Sequence, residues 1–176
     1  MKQVHLYNLG LIDYTAGWEF QEKLFNRSVQ QKLLNRNLPA DEQKPIDNYF
    51  IYCSHPPVIT LGTGGEEKNL LLNDELLKLN GIQFIKTNRG GDITYHGPGQ
   101  VVGYPILDLD QWTTDIHKYM RLLEEVIILS LADYGISGDR IEGLTGVWLD
   151  KDNPRKTRKI CAMGVRTSRW VTMHGF

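Results

Sequence analysis

The most chemically loaded stretch of the chain is "RGGDITYHGPGQ", from Arg89 to Gln100, where four glycines and a proline surround an arginine, a tyrosine and a histidine. Glycine frees the backbone for tight turns, and it also removes the Cβ that would hold a ligand away from the main chain. Two readings follow. In one, Gly90–Gly91 and Gly97–Pro98–Gly99 are turn punctuation on either side of a short strand. In the other, the segment walls a binding slot whose ligand has its polar end held by Arg89 and His96. Strand alternation along Asp92, Ile93, Thr94 and Tyr95 puts Thr94 and His96 on one face. Neither "LGTGGEEKNL" nor "HGPGQVVGYP" completes G-x-x-x-x-G-K-[ST] or G-x-G-x-x-G, so both nucleotide-phosphate fingerprints are rejected.

A second candidate is "RKICAMGVR", in which strand periodicity places Lys159 and Cys161 on the same face. A desolvated lysine beside a thiol stabilises the thiolate, the nucleophile of acyl transfer. The blander alternative makes Lys159 the last member of a solvated basic run and Cys161 a small buried hydrophobe. Cys53, in an apolar segment, reads as core. The two cysteines lie far apart and form no metal-ligand pair or disulfide framework, so reduced thiols are expected. Between Lys151 and Arg169 there are seven basic residues and one acidic residue, Asp152, although the formal net charge of the chain is only −1. Such a patch suits a solvated loop or a docking surface for an acidic protein, where complementary charge raises the association rate. Without interleaved exposed aromatics or a basic fold motif, nucleic acid is the weakest of the partner classes.

These residues need elements to position them. Tyr14, Trp18, Phe25, Val29 and Leu33 recur at helical spacing, which predicts a first amphipathic helix with Asp13 as its N-cap. "NYFIYCS", "VITLG", "GIQFIKT", "DITY" and "VVGYPILDL" read as strands of a mixed sheet. "NLLLNDELLKLNG" predicts a short helix closed by Asn80 and Gly81, and "DIHKYMRLLEEVIILSLADYG" a longer one with Ile116, Met120, Leu123, Val126 and Ile127 on its buried face. "TGVWLD", "KICAMGVRTS" and "WVTMHGF" finish as three strands, with "KDNPRKTR" an exposed loop before the second. The 176 residues suit one domain, and 41% apolar with 10% aromatic residues excludes the disordered and fibrous classes. "MKQVHLYNLG" has no apolar leader segment and no run approaches eighteen apolar residues, so a cytoplasmic protein with no membrane partner is expected.

"RGGDITYHGPGQVVGYPILDL" resembles the motif R-G-G-x-x-T-[FY]-H-G-P-G-Q of the lipoyl(octanoyl) transferase family, with supporting matches in "LGLIDYTAGWEFQ", "HPPVITLG", "GLTGVWL", "RKICAMGVR" and the final "HGF". The resemblance implies an α/β fold of the biotin/lipoate-ligase catalytic-domain type, a mixed sheet flanked by helices, with residues 1–176 as a single octanoyltransferase catalytic domain. It implies transfer of an octanoyl group from octanoyl-acyl carrier protein to a lysine of lipoyl domains through a cysteine thioester, the first step of protein lipoylation, with no metal and no cofactor. The accepting domains would be those of 2-oxoacid dehydrogenases and the glycine cleavage H protein, and the acidic carrier would dock near Lys151 to Arg169.

Carried over position by position, Arg89, Gly90, Gly91, Asp92, Ile93, Thr94, Tyr95 and His96 line the acyl pocket. Ala162, Met163 and Gly164, with Gly175 and Phe176, form its other wall, and Lys159 lowers the pKa of the nucleophile. In the family the nucleophile is the cysteine of a Pro-Cys-Gly motif downstream of "HGF", and this sequence stops at Phe176, so the C-terminal part is expected to be missing and the isolated chain inactive. Cys161 stands where the family tolerates small residues and is not promoted to acyl acceptor. The nearest rival, an ATP-dependent lipoate-protein ligase, follows R-R-x-S-G-G-G-A-V-Y-H, whose extra glycine is lacking here. A non-catalytic acyl-binding or carrier-binding module is the rival of a different class.

Overall fold

The computed structural model describes residues 3–176; Met1 and Lys2, which begin the stretch read for a leader, lie outside the described residues. The described chain divides into two compact units within the length that the sequence reading treats as one domain. The first holds residues 3–111 with Gly164–Gly175, and the second Trp112–Met163 with Phe176.

In the first unit, β1 (Val4–Leu11) pairs in parallel with β2 (Asn48–Ser54), which pairs antiparallel with β6 (Val102–Ile106). Beside this mixed sheet is a second, in which β3 (Val58–Leu61) is flanked by parallel β4 (Gln83–Lys86) and antiparallel β5 (Ile93–His96). β9 (Gly164–Ser168) and β10 (Val171–Gly175) form a hairpin. Its two turn residues, Arg169 and Trp170, have φ of 49° and 62°, the left-handed pair that a tight hairpin requires. No Asn-Gly announced it.

The first helix, α1 (Tyr14–Asn35), begins as expected, with the Asp13 carboxylate accepting from the Thr15 and Ala16 amides. Its buried face covers β2, β6 and β10, and Leu24, Phe25 and Val29 join Ile51, Ile106, Val171 and Met173 in one apolar core. Full burial of each such side chain contributes about 1.5–3 kcal/mol. Gln21 and Ser28 share that face, and the sequence stripe did not include them. The short α2 (Asp74–Leu79) is capped by Asn73 and closed at Asn80 and Gly81, again as expected.

β10 lies along β6 where Pro105 has no N–H to give. The Thr172 hydroxyl donates to the Pro105 carbonyl at 2.8 Å, and the Thr172 amide donates to the Leu107 carbonyl at 2.9 Å. The approach is close enough that a Cβ built on Gly175 would stand 2.2 Å from the Gly103 carbonyl oxygen and 2.6 Å from Pro105 Cδ.

The second unit contains α3 (Ile116–Asp133), β7 (Val147–Leu149) and β8 (Arg158–Cys161), the two strands pairing antiparallel. Two expectations are corrected here. Val126 is 53% exposed, and the buried residues of α3 are Tyr119, Leu123 and Glu124, because the helix turns its Glu124 carboxylate inward onto arginine and backbone partners. "KICAMGVRTS" is not one strand but two: the chain leaves β8 at Cys161, passes Ala162 and Met163, and enters β9 in the other unit at Gly164. β1 was not anticipated at all; its alternation of half-buried and exposed residues is that of a sheet edge.

Gly175→Ala should lower stability by about 1–3 kcal/mol, because the atoms it meets are backbone and a proline ring that cannot swing aside. A urea melt with an unchanged midpoint would contradict this packing.

Candidate functional site

Arg89 is 6% exposed and sits at the mouth of the turn into β5. Its guanidinium donates from Nη2 to the Thr60 carbonyl (2.9 Å), the Thr60 hydroxyl (2.7 Å) and the Asp92 carbonyl (2.8 Å), and from Nη1 to the Gly90 carbonyl (2.9 Å). The fork is therefore occupied by the loop itself and by β3. It holds the shape of the loop rather than offering a free pair of donors to the polar end of a ligand.

The glycines around it serve the same end. A Cβ on Gly62 would meet the Gly91 carbonyl oxygen at 2.4 Å and Arg89 Nη1 at 2.8 Å, and a Cβ on Gly164 would meet the Gly90 carbonyl oxygen at 2.4 Å. Gly91 itself has φ of 86°, which an L side chain resists. The amides of Thr63 and Gly64 donate to the carbonyls of Arg89 and Gly91 at 2.8 and 3.0 Å, and the Gly90 amide donates to the Val165 carbonyl at 2.9 Å. The turn reading of the stretch is met by a tight turn whose two sides are backbone. Along β5 the register pairs Thr94 with Thr60 and His96 with Val58, keeping Thr94 and His96 on one face. Tyr95, on the other, is 45% exposed.

Three histidines cluster with aromatic rings in this unit. His55 is fully buried; its Nδ1 faces the Ile12 carbonyl at 2.7 Å, so it carries the proton there, and its Nε2 accepts from the Tyr104 hydroxyl at 2.7 Å. The His96 ring stacks on Tyr14 at 5.8 Å. Burial first, then the neighbouring His55 and the Arg89 charge, lowers the His96 pKa to about 4. His174, 1% exposed, is brought down to about 3 by burial and then by Arg89 and Arg166. Its backbone is left-handed, with φ of 60°, an arrangement of order 1–3 kcal/mol unfavourable for a side chain other than glycine. Two contacts hold it: its amide donates to Gln21 Oε1 at 3.1 Å, and its Nε2 meets Asn88 Oδ1 at 2.7 Å. Asn88 precedes Arg89 and His174 precedes Gly175, so this pairing ties one expected wall to the other within the unit.

Lys159, Ala162, Met163 and Phe176 fall in the second unit, apart from Arg89 to His96, Gly164 and Gly175 in the first. Lys159 is exposed on β8, opposite Trp148 of β7, with its Nζ 4.6 Å from the centre of the indole ring. Cys161 is half-buried, and burial pushes its thiol up to about 12; Lys159 pulls against that rise and Glu124 adds to it. Burial likewise pushes the Cys53 thiol up to about 11. Neither thiol is poised as a thiolate near neutral pH. The basic run is partly neutralised: Lys151 pairs with Asp139 at 2.6 Å and Arg158 with Asp150, while Arg155 and Lys156 make no ion pair among the described residues. Among the described residues no group of three or more His, Cys, Asp or Glu is arranged to hold a metal ion. No described helix is long and apolar enough to cross a membrane.

Sequence reasoning missed Thr60, Asn88, Gln21, Tyr104 and Glu124. Gln21 and Glu124 had a signal, a polar residue standing inside an otherwise apolar helical stripe. The others had none, because each acts through a partner distant in sequence.

The depressed histidines give a pH dependence with a definite sign. Their folded pKa values, about 4 and about 3, lie below the unfolded value near 6.5, so between those limits the unfolded chain binds more protons. Stability should therefore fall as pH drops from about 6.5, by up to about 1.4 kcal/mol per pH unit for each histidine, and His96→Asn should flatten the slope. Urea midpoints that do not move between pH 6.5 and pH 5 would contradict the burial of these imidazoles.

Residues 13–176 match the model of the lipoyl protein ligase A/B catalytic domain. An octanoyltransferase of Cytophaga hutchinsonii is 57% identical over 175 residues, covering 99% of this chain and 72% of that protein. One of Flavobacterium johnsoniae is 58% identical over 175 residues, 99% of this chain and 74% of its own length. Among solved structures, a bi-partite lipoate protein ligase from Thermoplasma acidophilum superposes with a TM-score of 0.66 at 16% identity over 99% of this chain, which spans 60% of that one. That likeness is one of fold, the mixed α/β fold of lipoate and biotin ligase catalytic domains. With the loop, the lysine-bearing strand and the full length of the match in hand, the chain belongs to the octanoyltransferase family within the lipoyl protein ligase A/B catalytic domains.

Proposed function

We propose that the chain serves the transfer of an octanoyl group from octanoyl-acyl carrier protein to a lysine amine of a lipoyl domain, through a thioester on an enzyme cysteine. The observation that carries this reading is the 57% identity with an octanoyltransferase over 175 residues, a match that takes in both the Arg89 to His96 loop and Lys159. In the first half-reaction a thiolate attacks the carrier's thioester carbonyl and the carrier's thiol leaves. In the second the lipoyl-domain amine attacks the enzyme thioester, the enzyme thiolate leaves, and the amine proton passes to a base.

The loop supports the reading by its construction. A wall made of backbone and small residues accommodates an alkyl chain, and each methylene taken out of water contributes about 0.8 kcal/mol. His96 and His174 are uncharged at neutral pH, so no ionised imidazole has to be desolvated beside that chain. Lys159 is the cation that would stabilise the nucleophilic thiolate. Arg155 and Lys156, exposed and without ion-pair partners among the described residues, are the charges best suited to meet an acidic carrier. Cys53 and Cys161, with thiols pushed up to about 11 and about 12, are not the acyl acceptor in this reading. In this reading that role belongs to the cysteine of the Pro-Cys-Gly motif that the family resemblance implies.

Intact mass before and after incubation with octanoyl-acyl carrier protein tests this assignment. The expected result is binding of the carrier, weakened by Lys156→Glu and by raised salt, with no hydroxylamine-sensitive octanoyl adduct on the 176-residue chain. An octanoyl thioester mapped to Cys161 would overturn the assignment of the nucleophile. Carrier binding indifferent to both salt and Lys156→Glu would overturn the docking surface.

A further inference from the structure

Lys159 is exposed, and its placement over Trp148 needs a cause within its own unit. Trp148 and Lys159 are register partners across β7 and β8, next to a break in register between Val147 and Trp148. Gly146, immediately before β7, has φ of 113°, and a Cβ there would lie 2.5 Å from the Cys161 carbonyl oxygen and 3.3 and 3.4 Å from Lys159 Cε and Cδ. The stem of Lys159 therefore runs across the bare face of Gly146 before its ammonium reaches the indole.

Gly146 is itself pinned. Its amide donates to Glu124 Oε1 at 2.9 Å, and Glu124 is fully buried in α3. The carboxylate also forms an ion pair through Oε1 with Arg121 Nη2 at 2.9 Å and, through Oε2, accepts from Arg140 Nε at 3.0 Å. Arg140 is held in turn by Glu125 at 2.6 Å and by the Arg121 carbonyl at 2.9 Å. A buried carboxylate with this set of donors has one geometry available to it. The position of the Gly146 amide is fixed with it.

We propose that Glu124 is a positioning residue for Lys159: its carboxylate, fixed by Arg121 and Arg140, holds Gly146 so that the Lys159 stem lies across the glycine and its ammonium over Trp148. The functional meaning rests on the reading of Lys159 as the cation of acyl transfer, but the contact chain from Glu124 to Lys159 stands without it. The device turns a flexible surface lysine into one with a set direction. A rigid helix residue supplies the reference point.

The test reads the lysine directly, with no turnover. In the labelled 176-residue protein, the ε-methylene protons of Lys159 should be displaced upfield from those of the other lysines by the indole ring current, and Trp148→Leu should abolish the displacement. Glu124→Gln, whose amide carbonyl still accepts from Gly146, should keep most of it, whereas Glu124→Leu should lose it while the amide signals of the Arg89 loop stay in place. If Glu124→Leu does not fold, Gly146→Ala takes its part, since the added methyl group occupies the seat of the stem. An undiminished upfield shift in a folded Glu124→Leu or Gly146→Ala protein overturns the proposal. Carrier binding indifferent to both salt and Lys156→Glu would leave this spectrum untouched and count against the functional reading alone.

Discussion

The Arg89 guanidinium is the constraint on which the rest of the first unit depends. A buried cation that makes no ion pair among the described residues is tolerable only if its donors are met by other means, and here carbonyl groups and one hydroxyl of β3 and the loop meet them. This demand dictates local sequence. The segments that supply the oxygens must come within backbone contact of one another, and only glycine at 62, 91 and 164 permits it. Burial chiefly lowers the proton affinity of His96 and His174 and the same charge adds to it, so one residue holds the loop's shape and contributes to the electrostatics of the proposed acyl wall.

The second unit has a device of the opposite sign. Glu124, buried among two arginines and a glycine amide, does for the lysine-bearing hairpin what Arg89 does for the loop. In both cases a charge taken out of water is saturated by partners with fixed positions, and a glycine lies where the chain must approach closely. Removing either partner leaves an uncompensated buried charge, which is why such sites are rigid. Rigidity of this kind is what a transfer reaction needs from the groups that hold its substrate and its cation.

Much of this was legible in the sequence, and the exceptions have physical reasons. Helix α1 with its Asp13 cap, the short α2 closed at Asn80 and Gly81, and the strands from Asn48 to Ile106 followed from periodicity and turn chemistry, which are local properties. The family followed from the motif around Arg89. The face of α3 was misjudged because an amphipathic count treats Glu124 as a surface residue, and only its long-range partners reveal why it is buried. The break between β8 and β9 was hidden because Ala162 and Met163 carry no turn signal; the break at Arg169 was read, but not its left-handed backbone, because Arg169 and Trp170 are not residues that relax into it. The contacts of Arg89 were hidden for a related reason: a lone arginine reads as a holder of a ligand's polar end until its carbonyl partners are seen.

The claim that the Arg89 to His96 loop is a wall for an alkyl chain is tested most directly by isotope-filtered NMR with 13C-labelled octanoic acid as the probe. The account predicts contacts from the probe's methylene protons to Ile93, Thr94 and His96, weakened when Arg89 is replaced by methionine and the loop loses its clamp. Contacts to other surfaces alone, or binding indifferent to Arg89→Met, would contradict it.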